Sequence, residues 1–223
     1  MPVSFLKLDL SSFESIHEAS KKFTSESQRL DIFMNSAGVM ALAPGLSTEG
    51  YEIQFGINHV GHALFTKLLM PTLLKTAEIP GSDVRVIFVT SQGHMFAPKE
   101  GVAFKDLKTT QEKITSQPSW GRYGQSKLAN ILYAAELARR YPAITSLSVH
   151  PGVVRTGLKE KSVYDSSIYK VIQESILPLL YVPIDVGIKN QLWASCYNKG
   201  ELINGAYYEP IGMLIHFSVR AHD

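Results

Sequence analysis

The chain has 223 residues, 45% of them hydrophobic, and its 22 Lys and Arg against 20 Asp and Glu leave a formal net charge of +2. That length suits one domain with a substantial core, and so balanced a charge provides no basic field for nucleic acid. A single cysteine, Cys196, excludes an internal disulfide framework, no apolar run is long enough to span a bilayer, and Met1 leads into an alternating segment instead of an apolar leader.

The predicted elements alternate. Val3 to Leu8 reads as a strand, an amphipathic helix follows from about Ser12 to Glu26, and Leu30-Asp-Ile-Phe-Met-Asn35 is a short apolar strand closed by Ser36-Ala37-Gly38. A long helix runs from about Glu49 to Ala77, with Ser47 and Thr48 as candidate N-caps. Val84 to Ser91 is a buried strand of β-branched type. Gly93 to Ser119 is polar and long; it reads as a surface loop, with a site-shaping insertion as the alternative. A helix from about Trp120 to Tyr141 and a strand from Thr145 to Val149 follow. Ser162 to Pro183 is irregular and apolar, and a helix begins near Asp185 with Cys196 expected on its packed side. This order predicts an α/β fold, a doubly wound, Rossmann-like parallel sheet, with no internal repeat.

In such sheets ligands bind at the carboxyl ends of the strands. Ser91 and the Asn35 to Gly38 segment fall there by pattern alone. Tyr123 and Lys127 stand one helical turn apart, which puts a phenol and an ammonium on one face. A neighbouring cation favours phenolate and brings a phenol, ordinarily titrating near pH ~10, closer to acid/base work. Other signals carry less. His59 and His62 lack the further ligands of a metal set. Gly152 to Gly157 imitates part of a phosphate loop, but Leu158 stands where its lysine belongs. No Gly-x-Ser-x-Gly elbow surrounds Ser91, which argues against a hydrolase.

These segments together resemble the short-chain dehydrogenases/reductases, in particular their retinol-dehydrogenase-like and WW-domain-oxidoreductase-like branch. The matching text is Leu8-Asp9-Leu10, Asn35-Ser-Ala-Gly38, Gly50-Tyr-Glu-Ile-Gln-Phe-Gly-Ile-Asn-His-Val-Gly-His62, Val89-Thr-Ser91, Tyr123-x-x-x-Lys127-Leu-Ala-Asn130, His150-Pro-Gly-Val-Val-Arg-Thr156 and Gly205-Ala-Tyr-Tyr. The resemblance implies a catalytic tetrad of Asn58, Ser91, Tyr123 and Lys127. Within it Asn58 would hold a water that relays protons towards Lys127, and Lys127 would grip the nicotinamide ribose. It further implies that Asp9 touches the adenine, that Asn35, Ala37 and Gly38 line the coenzyme, and that Pro151, Gly152 and Thr156 hold its nicotinamide end. Ser162 to Pro183 would cover the substrate; ordinary core packing is the competing reading of that stretch.

One departure is large. The family's first strand, Gly-rich turn and second strand precede its Leu-Asp-Leu segment, and here that segment follows Met1 almost at once. No Gly-x-Gly-x-x-Gly occurs in the chain, so the backbone donors that such a turn offers to a pyrophosphate are not in this text. The expectation is a single domain over residues 1–223 that lacks its first β-α-β unit, the sequence being a fragment or a product of a misplaced start. Two functions follow. One is a nicotinamide-dependent oxidoreductase, NADP(H) favoured over NAD by resemblance, acting on a lipophilic ketone, aldehyde or alcohol in lipid or secondary metabolism. The other is a catalytically silent homologue that acts as a binding partner. A homodimer is compatible with both, and the default location is the cytoplasm, although relatives in the retinol branch often carry an N-terminal membrane anchor.

Overall fold

Among the described residues five strands form one sheet, in chain order across it, the first four parallel and the last antiparallel. The computed structural model describes residues 3–154, 157–159, 162–163 and 181–215. In chain order, Phe13–Glu26 is α1, Ile32–Asn35 is β1 and Ile53–Phe55 is α2; a π-helical turn, Gly56–Gly61, joins α2 to α3, His62–Ala77. Arg85–Val89 is β2, Pro118–Arg140 is α4 and Thr145–Val149 is β3. Ile184–Gly187 is α5, Lys189–Cys196 is α6, Tyr207–Glu209 is β4 and Met213–Ile215 is β5.

Every residue of β2 and β3 is buried, and apart from Arg85, whose guanidinium pairs with Asp83 and the Ala194 carbonyl, their side chains are apolar or small on both faces. The period of two divides the core. Val84, Val86 and Phe88 meet Met70 and Leu73 of α3 and Ala134 and Leu137 of α4, whereas Ile87, Val89, Leu147 and Val149 meet Ala194 of α6 and Tyr208 of β4. Each such side chain contributes roughly 1.5–3 kcal/mol when fully buried. Helix α1 starts at Ser12, whose Oγ accepts from Ser15 N at 3.3 Å, and packs through Ile16 and Ala19 on Phe65 and Leu69 of α3. Among the described residues no helix is long and apolar enough to cross a membrane.

The structure corrects four sequence expectations. Val3 to Leu8 has no regular structure and belongs to no ladder: Leu6 and Leu8 pack inward while Val3 and Phe5 stay 98% and 85% exposed. A strand needs a hydrogen-bonding neighbour, and among the described residues none lies beside this segment. The long helix starts at Ile53 instead of Glu49, because Ser47 Oγ accepts from Tyr51 N to close a turn and Glu52, not Ser47 or Thr48, provides the cap, accepting from Phe55 N at 2.7 Å. Gly93 to Ser119 is more than a surface loop: it contains two 3-10 turns, Gln92–Phe96 and Phe104–Asp106, and buries Gly93, Val102, Ala103 and Gln111. Cys196 is exposed, since α6 turns Asn190 and Ala194 inward and ends at the cysteine.

Candidate active site

Helix α4 brings most of the site together. Pro118 stands at its first turn, where a missing N–H costs nothing, and Tyr123 follows with only 4% of its surface exposed. Beside it stands Ser91, whose hydroxyl acts to lower the phenol's pKa and whose Oγ accepts from Gly93 N at 3.0 Å. Gly93 is required by proximity: a Cβ there would lie 2.6 Å from Tyr123 Cε1. Gly124 is required more strictly, because its Cβ would stand 2.5 Å from Ala97 N and 2.7 Å from Phe96 C, backbone atoms that cannot swing aside. Gly124→Ala is therefore expected to cost about 1–3 kcal/mol of stability, read as a lower urea midpoint; an unchanged midpoint would show that the turn before Ala97 is free to shift.

Asn58 sits in the π-helical turn, where the regular ladder is interrupted. Its amide hydrogens go to Val39 O at 2.9 Å and Ser126 Oγ at 3.0 Å, and its Oδ1 accepts from Val39 N at 2.8 Å. The backbone carbonyl accepts from Asn130 Nδ2 at 3.0 Å and from His62 Nδ1 at 3.1 Å. An amide offers two hydrogens and a carbonyl two lone pairs, so only a second lone pair on Oδ1 is left over. That lone pair is what Asn58 has left to offer the expected water, and its bonds tie α4 to the segment after β1. Gly38 completes that junction, since its Cβ would lie 3.0 Å from Asn58 Oδ1 and 3.5 Å from Lys127 Nζ.

Lys127 is 5% exposed and donates to Val89 O at 3.1 Å. Burial pushes its ammonium down to about 8. Tyr123 moves the other way, pushed up to about 12 by burial, with the Ser91 hydroxyl acting against that rise. The sequence had suggested that Lys127 lowers the phenol. Here its Nζ lies 5.7 Å from the Tyr123 ring centroid, and desolvation of the phenol dominates.

The remaining expected residues divide. Asn35 is buried at the end of β1; its Nδ2 donates weakly to Thr66 Oγ1 at 3.4 Å and its Oδ1 has no partner. Ala37 is exposed beside it. Pro151 and Gly152 follow β3, half-buried, and Gly152 has φ +86°, which only glycine adopts freely. Asp9 is exposed and turned into the start of α1, its Oδ1 accepting from Ser11 N and Oγ, which with these bonds as the leading cause lowers its pKa. No hydrogen bond joins it to the tetrad among the described residues. Thr156 and most of the Ser162 to Pro183 stretch, including residues 176–180 of its apolar centre, lie outside the described residues. Also among the described residues, no group of three potential metal-ligating side chains occurs.

Two buried imidazoles border this cluster. His62 and His150 are 4% and 5% exposed, and burial lowers each to about 4. Because the folded values lie below the ordinary 6.5, the unfolded chain binds more protons between about pH 6.5 and 4, and stability is lost as pH falls through that window. The loss is on the order of 2–3 kcal/mol per group at the acid end. A thermal-melting series is expected to fall less steeply in His150→Asn than in the parent; equal slopes would assign the acid lability elsewhere.

Comparison with known proteins places this arrangement. The short chain dehydrogenase family profile matches residues 1–104. An uncharacterized oxidoreductase of Schizosaccharomyces pombe is 38% identical over 229 residues, covering 99% of this chain and 65% of that protein. A short-chain dehydrogenase/reductase of Armillaria gallica is 36% identical over 210 residues, covering 92% of this chain and 64% of that protein. The chain belongs to the short-chain dehydrogenase/reductase family. It spans somewhat less than two thirds of the length of these two relatives. The crystal structure of NADPH-bound carbonyl reductase from chicken fatty liver superposes with a TM-score of 0.64 at 15% identity, over 96% of this chain and 77% of that one, which shows the shared Rossmann-type fold.

The sequence reading of this short-chain dehydrogenase/reductase missed the residues beneath the site. Ser126, which accepts from Asn58 and donates to Tyr123 O at 2.7 Å, looks like any small helix residue. Arg122 and Glu52 form a buried ion pair, Nε to Oε1 3.2 Å, with side chains 1% and 0% exposed. A charge flanking a predicted catalytic tyrosine was the available signal, and α2 and α4 had to be placed side by side to reveal its partner.

Proposed function

We propose that the site performs reversible hydride transfer between a nicotinamide coenzyme and a carbonyl/alcohol pair. The observation that carries this is the juxtaposition of Tyr123 and Ser91, both within 3.3 Å of where a Gly93 Cβ would stand, at the carboxyl end of β2, with Lys127 and Asn58 gathered around Gly38. The nicotinamide supplies or takes the hydride when bound. The residues fit such a group in part: Gly38 leaves a cradle against Asn58 and Lys127, Asn35 Oδ1 is a buried acceptor without a partner, and Gly152 lets the chain after β3 pass close. Asn35, Ala37, Gly38, Pro151 and Gly152 would line it, with Lys127 reaching its ribose and Asp9 its adenine.

Tyr123 donates its phenol proton to the carbonyl oxygen in reduction and takes one back from the alcohol in oxidation. Ser91 orients that oxygen through its hydroxyl. Asn58 fixes Val39 and Ser126, and so the distance between the coenzyme side and α4. NADP(H) is the favoured coenzyme and a lipophilic ketone, aldehyde or alcohol the substrate class, in lipid or secondary metabolism. The test is a panel of apolar and small polar carbonyls with NADPH and NADH in large excess. Coenzyme oxidation that depends on both substrate and Tyr123 supports the reading; none with any carbonyl, from folded protein, would abandon it.

A further inference from the structure

We infer that Arg122 is the positioning residue of Tyr123: its guanidinium holds closed the small apolar cover that keeps water off the phenol. The inference rests on the assignment of Tyr123 as proton donor. Arg122 immediately precedes Tyr123 on α4, yet it points to the other elements of the site. Its Nη2 donates to Leu42 O at 2.7 Å, its Nη1 reaches Gln111 O at 3.5 Å, and its Nε lies 3.2 Å from Glu52 Oε1. One planar cation therefore ties together the segment after β1, the 93–119 insertion and the cap of the helix that carries Asn58. Only a forked side chain makes three such contacts at once.

The Leu42 contact gives the clamp its local consequence. Ala41, directly before it, is fully buried and packs with Trp120 and half-buried Met40 on Tyr123. Ala41 holds φ +48°, a conformation unfavourable for a residue with a Cβ, so this turn persists only because its surroundings fix it. Val163 N and Ser162 Oγ bond the carbonyls of Ala41 and Met40 at 2.7 and 2.9 Å; Arg122 takes the next one. Glu52 balances the cation. It is fully buried and receives Phe55 N as well, and its pKa is raised by burial against those bonds and the Arg122 charge. A buried cation without that partner would be strongly destabilising.

The test separates cover from fold. Arg122→Lys keeps a cation beside Glu52 but cannot hold Leu42 O and Gln111 O together, so its melting temperature is expected to fall by several degrees, about 2–4 °C for each kcal/mol lost, with the protein still folded at 25 °C. The readout is the Cζ resonance of tyrosine labelled at that carbon, with Tyr123 assigned through its loss in Tyr123→Phe. In the parent this phenol stays protonated beyond pH 11, given its rise to about 12. In Arg122→Lys, water admitted beneath Ala41 should bring its titration down by about one pH unit or more. Lys127 is the charged neighbour on the same helix, and it is unaltered. Should Arg122→Lys not fold, Glu52→Gln with Arg122→Met removes both charges and is read in the same way. An unchanged Tyr123 titration in a folded variant overturns the inference, showing that Ser162 and Val163 suffice to hold the turn. Turnover gives a second readout: kcat about tenfold lower with coenzyme affinity preserved is expected. If turnover proves independent of Tyr123, the functional reading fails while the titration still decides the clamp.

Discussion

Tyr123→Phe is expected to lower carbonyl reduction about a hundredfold or more while leaving coenzyme affinity close to the parent, measured by rate under excess coenzyme and by fluorescence titration. The substitution removes one hydroxyl from a ring already packed against Trp120 and Ala41. Ser91 keeps its bond to Gly93 N, so the pocket loses the proton donor and little else. General acids and bases contribute roughly 10²–10⁴-fold, and turnover above about a tenth of the parent would remove Tyr123 from the role. Lys127→Ala should behave differently. It deletes a buried side chain bonded to Val89 O and lying beside the Gly38 cradle, so binding and rate should fall together. Equal effects of the two substitutions on both quantities would argue against separate roles.

The pH dependence follows from the same burial. A phenol raised to about 12 stays protonated across the neutral and mildly alkaline range, so reduction should show no loss assignable to Tyr123 below about pH 11. The reverse reaction needs the phenolate and should accelerate with pH. A limb near pH 8, absent from Lys127→Ala, would mark the loss of the Lys127 charge.

The order of strands and helices was legible because hydrophobic period is a local signal: Arg85–Val89 lies inside the segment expected from Val84 to Ser91, and Thr145–Val149 fills the one expected there. So was the gathering of Asn58, Ser91, Tyr123 and Lys127, through quoted motifs. What lay hidden depends on neighbours distant in sequence. Val3 to Leu8 has a strand's alternation, but whether it forms a ladder is decided by what lies beside it. The effect of Lys127 on Tyr123 was inferred from helical spacing; the burial of the phenol, which no local pattern shows, outweighs it and makes the net shift upward. The Asn58 carbonyl could not be known to be saturated before the π-helical turn placed His62 and Asn130 around it.

The 223-residue chain is expected to bind NADPH and NADH weakly, with dissociation constants near the millimolar range. The described site offers Gly38, Asn35, Lys127 and the chain after β3 to the nicotinamide side, but the sequence contains no Gly-rich turn to supply backbone donors to the pyrophosphate. Hydrogen bonds to a charged group contribute about 1.5–3 kcal/mol each. Two of them missing amount to about 4 kcal/mol, near a thousandfold in affinity, enough to move a micromolar constant to a millimolar one. The outer edge of β1 has no strand partner among the described residues and Ile32 is 44% exposed there, while Val3 and Phe5 stand in solvent, so self-association through that edge should compete in concentrated solution. Calorimetric titration of dilute monomer with each coenzyme tests the affinity directly. Micromolar binding by a folded monomer would sink the argument, because it would mean that the half of the site around Gly38, Asn58 and Lys127 holds a coenzyme without any pyrophosphate anchor.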